Sequence, residues 1–588
     1  MLPVEQPIKT YTGLDGKPLE NGFVYFGEPN LNPITNPVAV FWDAAGTIPA
    51  AQPIRTVGGY IVRAGTPTNV YFDGDYSQLV LDSKKRQVFS AANSSAFAVS
   101  SILRSGEGSA LVGFTQAAPG SATRSVRDKL RDVVSVKDFG VTGDGVTDDT
   151  VRIQLAIARA GRGGSLYFPP GDYLVSDTID ISVNSITLEG AGRQMVAIIT
   201  TSPTKDIFSV TGSDVVIRDM NFQSRVARTD GAFVNFAGGA GHILEMFAMQ
   251  RPFVGVRMSR TNDEVRNGSI ANTVVGGNSI VVGSNAYGFN QLIANVVMDA
   301  AADAQPNAGI AVFRTYDLRI ESCEIQHQGT GLFCLPADGQ TVYAVHSINT
   351  YYDSCSANGV HVLVQGTGIA ANFRFSNCWC GNNGGDGIRL NKVGGGILSS
   401  MHFDNSAIVS NVNNGVSLVA GVEDVSIVGG SIQGCQYGVN VGAGVSDFSI
   451  VGASIGNYAG GGGATIAGVF IAPGNSDRYV IVGNRFRGNG RNLSDGGTGT
   501  EKNISSNSGI KMAARGTAKI LSATSSLQVN HNLGFVPSSD SIFLSANSDV
   551  GINPLFVDVN TINENSFIVR CGTVRNNDVI FNWSAGSA

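Results

Sequence analysis

The chain has 588 residues, 75 of them glycine, with 15% charged residues and a formal net charge of −6. That length predicts several domains rather than one core, and the composition favours strands joined by tight corners over a helical or disordered chain. Mild acidity without a basic stripe excludes nucleic acid as a partner. No run of about 18 apolar residues is present to enter a membrane, and the start, MLPVEQPIKTY, lacks a signal-peptide pattern, so synthesis without export is expected.

Residues 1–110 read as a small β domain. Asp15-Gly16, Asp43, Gly58-Gly59 and Asp73-Gly74 mark turns between short strands such as Phe23–Phe26 and Val38–Trp42. Asn21-Gly22-Phe23-Val24-Tyr25-Phe26-Gly27, Asn32 to Pro37 with Trp42-Asp43, Gln52 to Thr56, Gly58-Gly59-Tyr60-Ile61 and Asp75-Tyr76-Ser77 together resemble the head-binding domain of podovirus tailspikes. The resemblance implies a trimeric domain that fixes the protein to a phage tail or neck protein. Residues 111–135 read as a connector, with Ser121 to Val134 either a short helix (Val126, Leu130 and Val133 at helical spacing) or a plain linker.

Residues 136–510 open with VKDFGVTGDGVTDDTVRIQLAIARA. The segment Asp138 to Thr150 resembles the start of the pectate-lyase-like β-helix family, which has many phage members. Asp148 is placed to cap a helix Thr150–Ala160 with Val151, Leu155 and Ala158 as its apolar face. Such a helix closes the open end of a first coil, so Asp144, Asp148 and Asp149 read as parts of a lid rather than as a catalytic group.

Beyond this cap, pairs of apolar residues one apart recur: Val215/Ile217, Leu318/Ile320, Phe373/Phe375, Met401/Phe403, Val425/Ile427, Phe448/Ile450 and Tyr479/Ile481. Seven places after the first member stand Phe222, Ile325, Cys380, Ile408, Ile432, Ile455 and Phe486. Alternation of period two with a repeat of roughly 23 to 31 residues predicts a right-handed parallel β-helix, and so an all-β fold. Six of the seven cysteines fall in these repeats without metal-ligand spacing, and read as reduced small residues stacked inside the shaft. No cofactor or metal motif is present. Residues 511–588, with Val529 to Gly534, Pro537 and Val579 to Ala585, resemble the C-terminal β-sandwich of many tailspikes, which in that family trimerises or binds carbohydrate; His531-Asn532 there reads as a turn.

Strand alternation assigns outward residues. One past the first anchor stand Arg319, His346, Arg374 and His402; three past it, Glu321 and Asp404; six past it, Glu324, Tyr351 and Trp379; eight past it, Asp353. Acids, cations and aromatics concentrate here, as glycan binding requires. Glu324 and Asp353, in adjacent coils, are the candidate pair for glycosidic hydrolysis, with Asp386, Asp404 and Glu321 as other candidates. Trp379, Tyr351, Arg374, His346, Glu321 and His402 are candidate substrate contacts, and Tyr352 either joins them or points inward. A lyase using His346, Arg374, His402 and Tyr351, or a glycan-binding adhesin without turnover, are the alternatives. Anchor, connector, shaft and sandwich together resemble a phage tailspike, which implies a homotrimer on the virion tail acting on bacterial lipopolysaccharide or capsule. The catalytic residues come from the register, not from the resemblance.

Overall fold

The computed structural model describes residues 9–72, 74–94, 103, 105–300, 306–457, 462–548, 554–574 and 576–586. The expected turn residue Asp73 and the first eight residues lie outside them. The chain forms two units, divided between Asp132 and Val133.

In the first unit a six-stranded antiparallel sheet has Phe23–Gly27 between Ile54–Val57 and Tyr76–Leu81. Val24, Phe26, Ile54 and Val80 form its core. The strand expected over Val38–Trp42 does not form. Phe41 makes only single bridges, to Pro49 and Tyr71. The Gln52 amide takes the place of a strand neighbour, donating to Val38 O (2.7 Å) and Phe26 O (3.0 Å) and accepting from Phe26 N (2.6 Å). Further along, only Val126–Leu130 is helical, capped by Ser125 Oγ, because Thr123–Ser125 pairs instead with Gly113–Thr115.

In the second unit, after the short strands Val134–Ser135 and Asp144–Asp148, the helix Thr150–Ala160 stands where the sequence places it. Its buried face is Ile153, Ala156 and Ile157; Val151 and Leu155 are exposed, so the expected apolar face is wrong by a rotation about the axis. Asp149 sets that rotation. Its fully buried carboxylate accepts from Thr142 N, Thr142 Oγ1 and Gly143 N at 2.8, 3.0 and 2.8 Å, and so pins the start of the helix. Asp148 Oδ1 accepts from Thr150 N at 3.0 Å. Asp144 accepts from Val146 N and Thr147 N, which draws its carboxyl down to about 2. All three aspartates are engaged in the cap.

A right-handed parallel β-helix of about 13 turns follows. A typical coil has three strands, for example Leu318–Glu321, Glu324–Gln326 and Thr330–Cys334, each continuing one face of the shaft, whereas Glu264–Ala271 and Gln291–Asp299 each run unbroken across the first two faces. Leu318, Val345, Phe373, Met401, Val425, Phe448 and Tyr479 are successive partners, as are Ile325, Tyr352, Cys380, Ile408, Ile432, Ile455 and Phe486. These inward columns, read from the spacing, are buried, and aromatic rings stack within them, as with Phe448 and Tyr479 at 4.8 Å. Between the first two strands of a coil the chain turns through a left-handed residue: Ser322, Asn349, Asn377 and Asn405 have φ near 50°. Asparagine tolerates that region, and Asn405 Nδ2 donates to Asn377 Oδ1 across coils at 2.9 Å. All seven cysteines are free and buried, and burial pushes the Cys323 thiol up to about 11.

The C-terminal segment packs two three-stranded sheets, Ala513–Ile520/Val579–Gly586/Ile542–Ala546 and Ser526–Asn530/Ser566–Cys571/Leu555–Asp558. Phe567, Val569, Phe581 and Trp583 are buried with them. His531 is buried, with Nε2 3.0 Å from Asn563 O, and Asn532 is left-handed (φ 52°), which makes this pair a turn.

Candidate functional site

The outward columns of the middle coils follow from the same register. Leu292, Arg319, His346, Arg374 and His402 are successive partners on the first face, as are Ala294, Glu321, Ile348, Ser376 and Asp404. Val297, Glu324, Tyr351, Trp379 and Ala407 stack on the second face, and beside them Asp299, Gln326, Asp353, Gly381 and Val409.

Tyr351 is 52% exposed, and its ring lies 6.3 Å from that of Trp379 at 28°. Trp379 Nε1 donates to Asp353 Oδ2 at 3.0 Å, and Asn382 Nδ2 and Ser354 Oγ donate to the other oxygen at 3.0 Å each. The indole lies over Gly381, where a Cβ would come within 2.4 Å of Nε1. Glycine at this position is therefore what allows the ring to lie along the strand and reach Asp353. Glu324 is exposed and accepts only from its neighbour Gln326 among the contacts described. Being one coil and two residues from Asp353, its Cα is about 8 Å away, from strand spacing and rise.

The structure removes two expected site residues. Tyr352 is fully buried between Ile325 and Cys380, its hydroxyl 2.8 Å from Ser347 Oγ, and burial drives its phenol well up. It belongs to the inward column and cannot meet a ligand. Asp386 is 1% exposed at the corner before Ile388–Val393, where it accepts from Asn414 N, Asn414 Nδ2 and Arg389 Nη1 at 3.1, 2.7 and 3.0 Å. Its oxygens bind neighbouring backbone and side chains, so its role is to hold coils together. Asp404 and Glu321 remain on the surface, each only loosely matched: Arg374 Nε lies 3.9 Å from Asp404, and Arg319 Nη1 lies 3.9 Å from Glu321. Both exceed hydrogen-bond length. His346 and His402 are partly exposed in the Arg374 column.

Sequence reading missed the earlier coils. In the column that later holds Glu321 and Asp404 stand Glu189, Arg218, Glu245 and Arg266. Here the charges are mated: Arg218 to Glu189 at 2.9 Å, Arg266 to Glu245 at 3.0 Å and to Glu264 at 2.7 Å. At the adjoining turn, Asp219 has its carboxyl pushed up by partial burial and by Glu189 and Glu245, with Arg218 opposing. The strict alternation of sign down the column is the signal that could have found this ladder. A cavity of about 430 Å³, lined by Lys502, Phe535, Pro537 and Ile562 among others, lies between the last coil and the C-terminal sheets, away from both groups.

Residues 133–333 match the family model described as rhamnogalacturonase A/epimerase, pectate lyase-like. Over 204 residues the chain is 28% identical to the tail spike protein of Shigella phage Sf6, which covers 30% of this chain and 33% of that protein. It is 36% identical over 125 residues to mannuronan C5-epimerase AlgE6 of Azotobacter vinelandii, 18% of this chain and 14% of the enzyme. The chain thus spans about a third of the phage relative and less of the epimerase. Among solved structures, the tailspike protein of E. coli bacteriophage HK620, in complex with pentasaccharide, aligns with a TM-score of 0.54 at 11% identity, over 83% of this chain and 99% of that one. The fold is therefore the right-handed parallel β-helix of phage tailspikes. Within it, residues 133–333 resemble the pectate-lyase-like family, and the chain is similar over 204 residues to a phage tail spike protein.

Proposed function

We propose that the protein is a phage tailspike that binds a bacterial surface polysaccharide, O-antigen or capsule, and cuts it by endoglycosidic hydrolysis. The observation that carries this reading is the group of Glu324, Tyr351, Asp353 and Trp379 on one open face. The exposed Tyr351 ring and the half-buried Trp379 ring offer flat surfaces to the C–H faces of sugars, with Glu324 one coil before Tyr351 and Asp353 hydrogen-bonded to Trp379. A separation near 8 Å between Cα atoms suits inversion if the side chains run parallel, with room for a water between acid and base. Asp353, oriented by Trp379, Asn382 and Ser354, is assigned as the base that activates this water. Glu324, exposed and able to swing, is assigned as the acid that protonates the leaving oxygen. By the same reading, residues 1–110 join the virion and the protein works as a homotrimer.

A second reading is supported by the column Arg319, His346, Arg374 and His402 and by the likeness to a C5-epimerase. It is lyase chemistry, in which cations neutralise a uronate carboxylate while His346, His402 or Tyr351 takes the adjacent proton. Incubation with purified host polysaccharides separates the readings. New reducing ends without the ultraviolet absorbance of an unsaturated uronate are expected for hydrolysis. That absorbance would favour the lyase, and an unchanged but bound polymer would leave an adhesin.

A further inference from the structure

At the corner leading onto the first face, two residues before the first inward position, successive coils carry Phe289, Tyr316 and Tyr343. The backbone stacks them: Tyr316 N donates to Gly288 O at 3.1 Å and Tyr343 N to Thr315 O at 2.9 Å. Phe289 and Tyr316 lie parallel, with centroids 5.2 Å apart and planes at 8°. Tyr287 braces Tyr316 at 5.0 Å; its hydroxyl accepts from Thr341 N at 3.1 Å, and the Arg314 guanidinium lies 5.9 Å from its ring. Phe289, Tyr316 and Tyr343 nonetheless remain 46%, 39% and 43% exposed.

The corresponding positions of the preceding coils are Ser213, Ala240 and Thr261, and of the following coils Ala371 and Ser399. Large rings at this corner are thus confined to the coils that begin the charged and aromatic face, and their exposure carries a cost that a solvated corner need not bear.

We propose that Phe289, Tyr316 and Tyr343 form a second sugar-stacking platform, so that a glycan chain crosses the coils from this corner over Arg319 and His346 to Tyr351 and Trp379. The inference rests on the glycan-processing reading. The occupant is argued from continuity with that face and from the rings' combination of exposed faces and rigid bracing. From Tyr343 to Ile348 the strand alone covers about 16 Å at its usual rise. A fragment of one or two sugars engages one platform, whereas a longer chain engages both and gains from their linkage.

The test titrates the full-length wild type, Phe289→Ala/Tyr316→Ala and Tyr343→Ala with length-fractionated surface polysaccharide from a panel of bacteria, with the oligomeric state followed by light scattering. Tyr343→Ala alters an exposed ring with no stacked partner among the described contacts, and keeps the test valid if the double variant folds poorly. Expected is a loss of about tenfold in affinity for long fragments, with short-fragment binding and oligomeric state unchanged. Equal affinities for long and short fragments in wild type and Tyr343→Ala would overturn the platform while leaving the glycan reading intact. Dissociation of the oligomer would assign the corner to a second copy of this chain instead. Absence of wild-type binding to every polysaccharide would overturn the glycan reading, and the platform with it.

Discussion

Two stretches of the same shaft differ in how they use charge. In the coils between Thr187 and Ala271 acids and arginines alternate down one column and meet at 2.9 and 3.0 Å. Between Leu318 and Asp404 the same column and its neighbour carry acids, arginines and histidines whose closest ion pairs are 3.9 Å long, with Tyr351 and Trp379 beside them. The inward columns are alike in both. Mated charges hold coils together and have few free lone pairs, whereas loosely matched ones keep donors and acceptors for a ligand. On the function proposed above, the contrast separates a structural surface from a recognition surface within one repeated fold.

If the difference lies only on the surface, core damage should be equal in both stretches. Ile217→Ala and Ile408→Ala, each removing a buried side chain, are expected to cost about 2–5 kcal/mol apiece, read by denaturant unfolding or, where refolding fails, by soluble yield. A stable, fully soluble Ile408→Ala would show that the middle coils are packed differently.

Chemistry should follow next. Glu324→Gln and Asp353→Asn are each expected to lower turnover of a cleaved polysaccharide by about 10² or more while binding persists, whereas Asp219→Asn in the early coils leaves it within about twofold. Loss of turnover in the Asp219 variant alone would move the site to the mated ladder, where that carboxyl is held up by partial burial together with Glu189 and Glu245.

Trp379→Ala removes a ring without removing an acid, so binding should weaken by about tenfold, measured by calorimetry, with the rate at saturation less affected. Arg266→Ala breaks two surface pairs, to Glu245 and Glu264. It should cost less than about 1 kcal/mol, shrink with salt in thermal melts, and leave glycan binding untouched; a change in binding would erase the distinction between the stretches.

The smallest effect is one of pH. Burial, with Arg389 adding to it and Asp386 opposing, lowers His361 on the third face from 6.5 to about 4. The unfolded chain then binds the extra proton between these values, so this contribution to stability is complete above pH 6.5 and is lost as pH falls towards 4. His361→Gln should flatten the melting temperature across that window; an unchanged slope would place the acid sensitivity elsewhere.

The inward and outward columns were legible because strand alternation and coil stacking are both local, repeating constraints. Tyr352 was caught between two assignments because its place seven after Val345 and its place beside Tyr351 pull in opposite directions; the packing of Ile325 and Cys380 around it settles the matter. Asp386 is not legible as a buried residue because a carboxylate at a corner looks solvated until Asn414 and Arg389, one coil on and three residues on, close over it.

Sequence by itself determined the shaft, its cap helix and the order of residues in each column, since a one-residue slip would turn every buried side chain outward. Tertiary structure alone decided three things: the rotation of the cap helix, set by Asp149 reaching back to Thr142 and Gly143; which charged columns are mated; and the bracing of Phe289 and Tyr316 at a corner outside the alternating strands. Each depends on atoms brought together from different coils or turns, whose lengths no two-residue or coil-length period records.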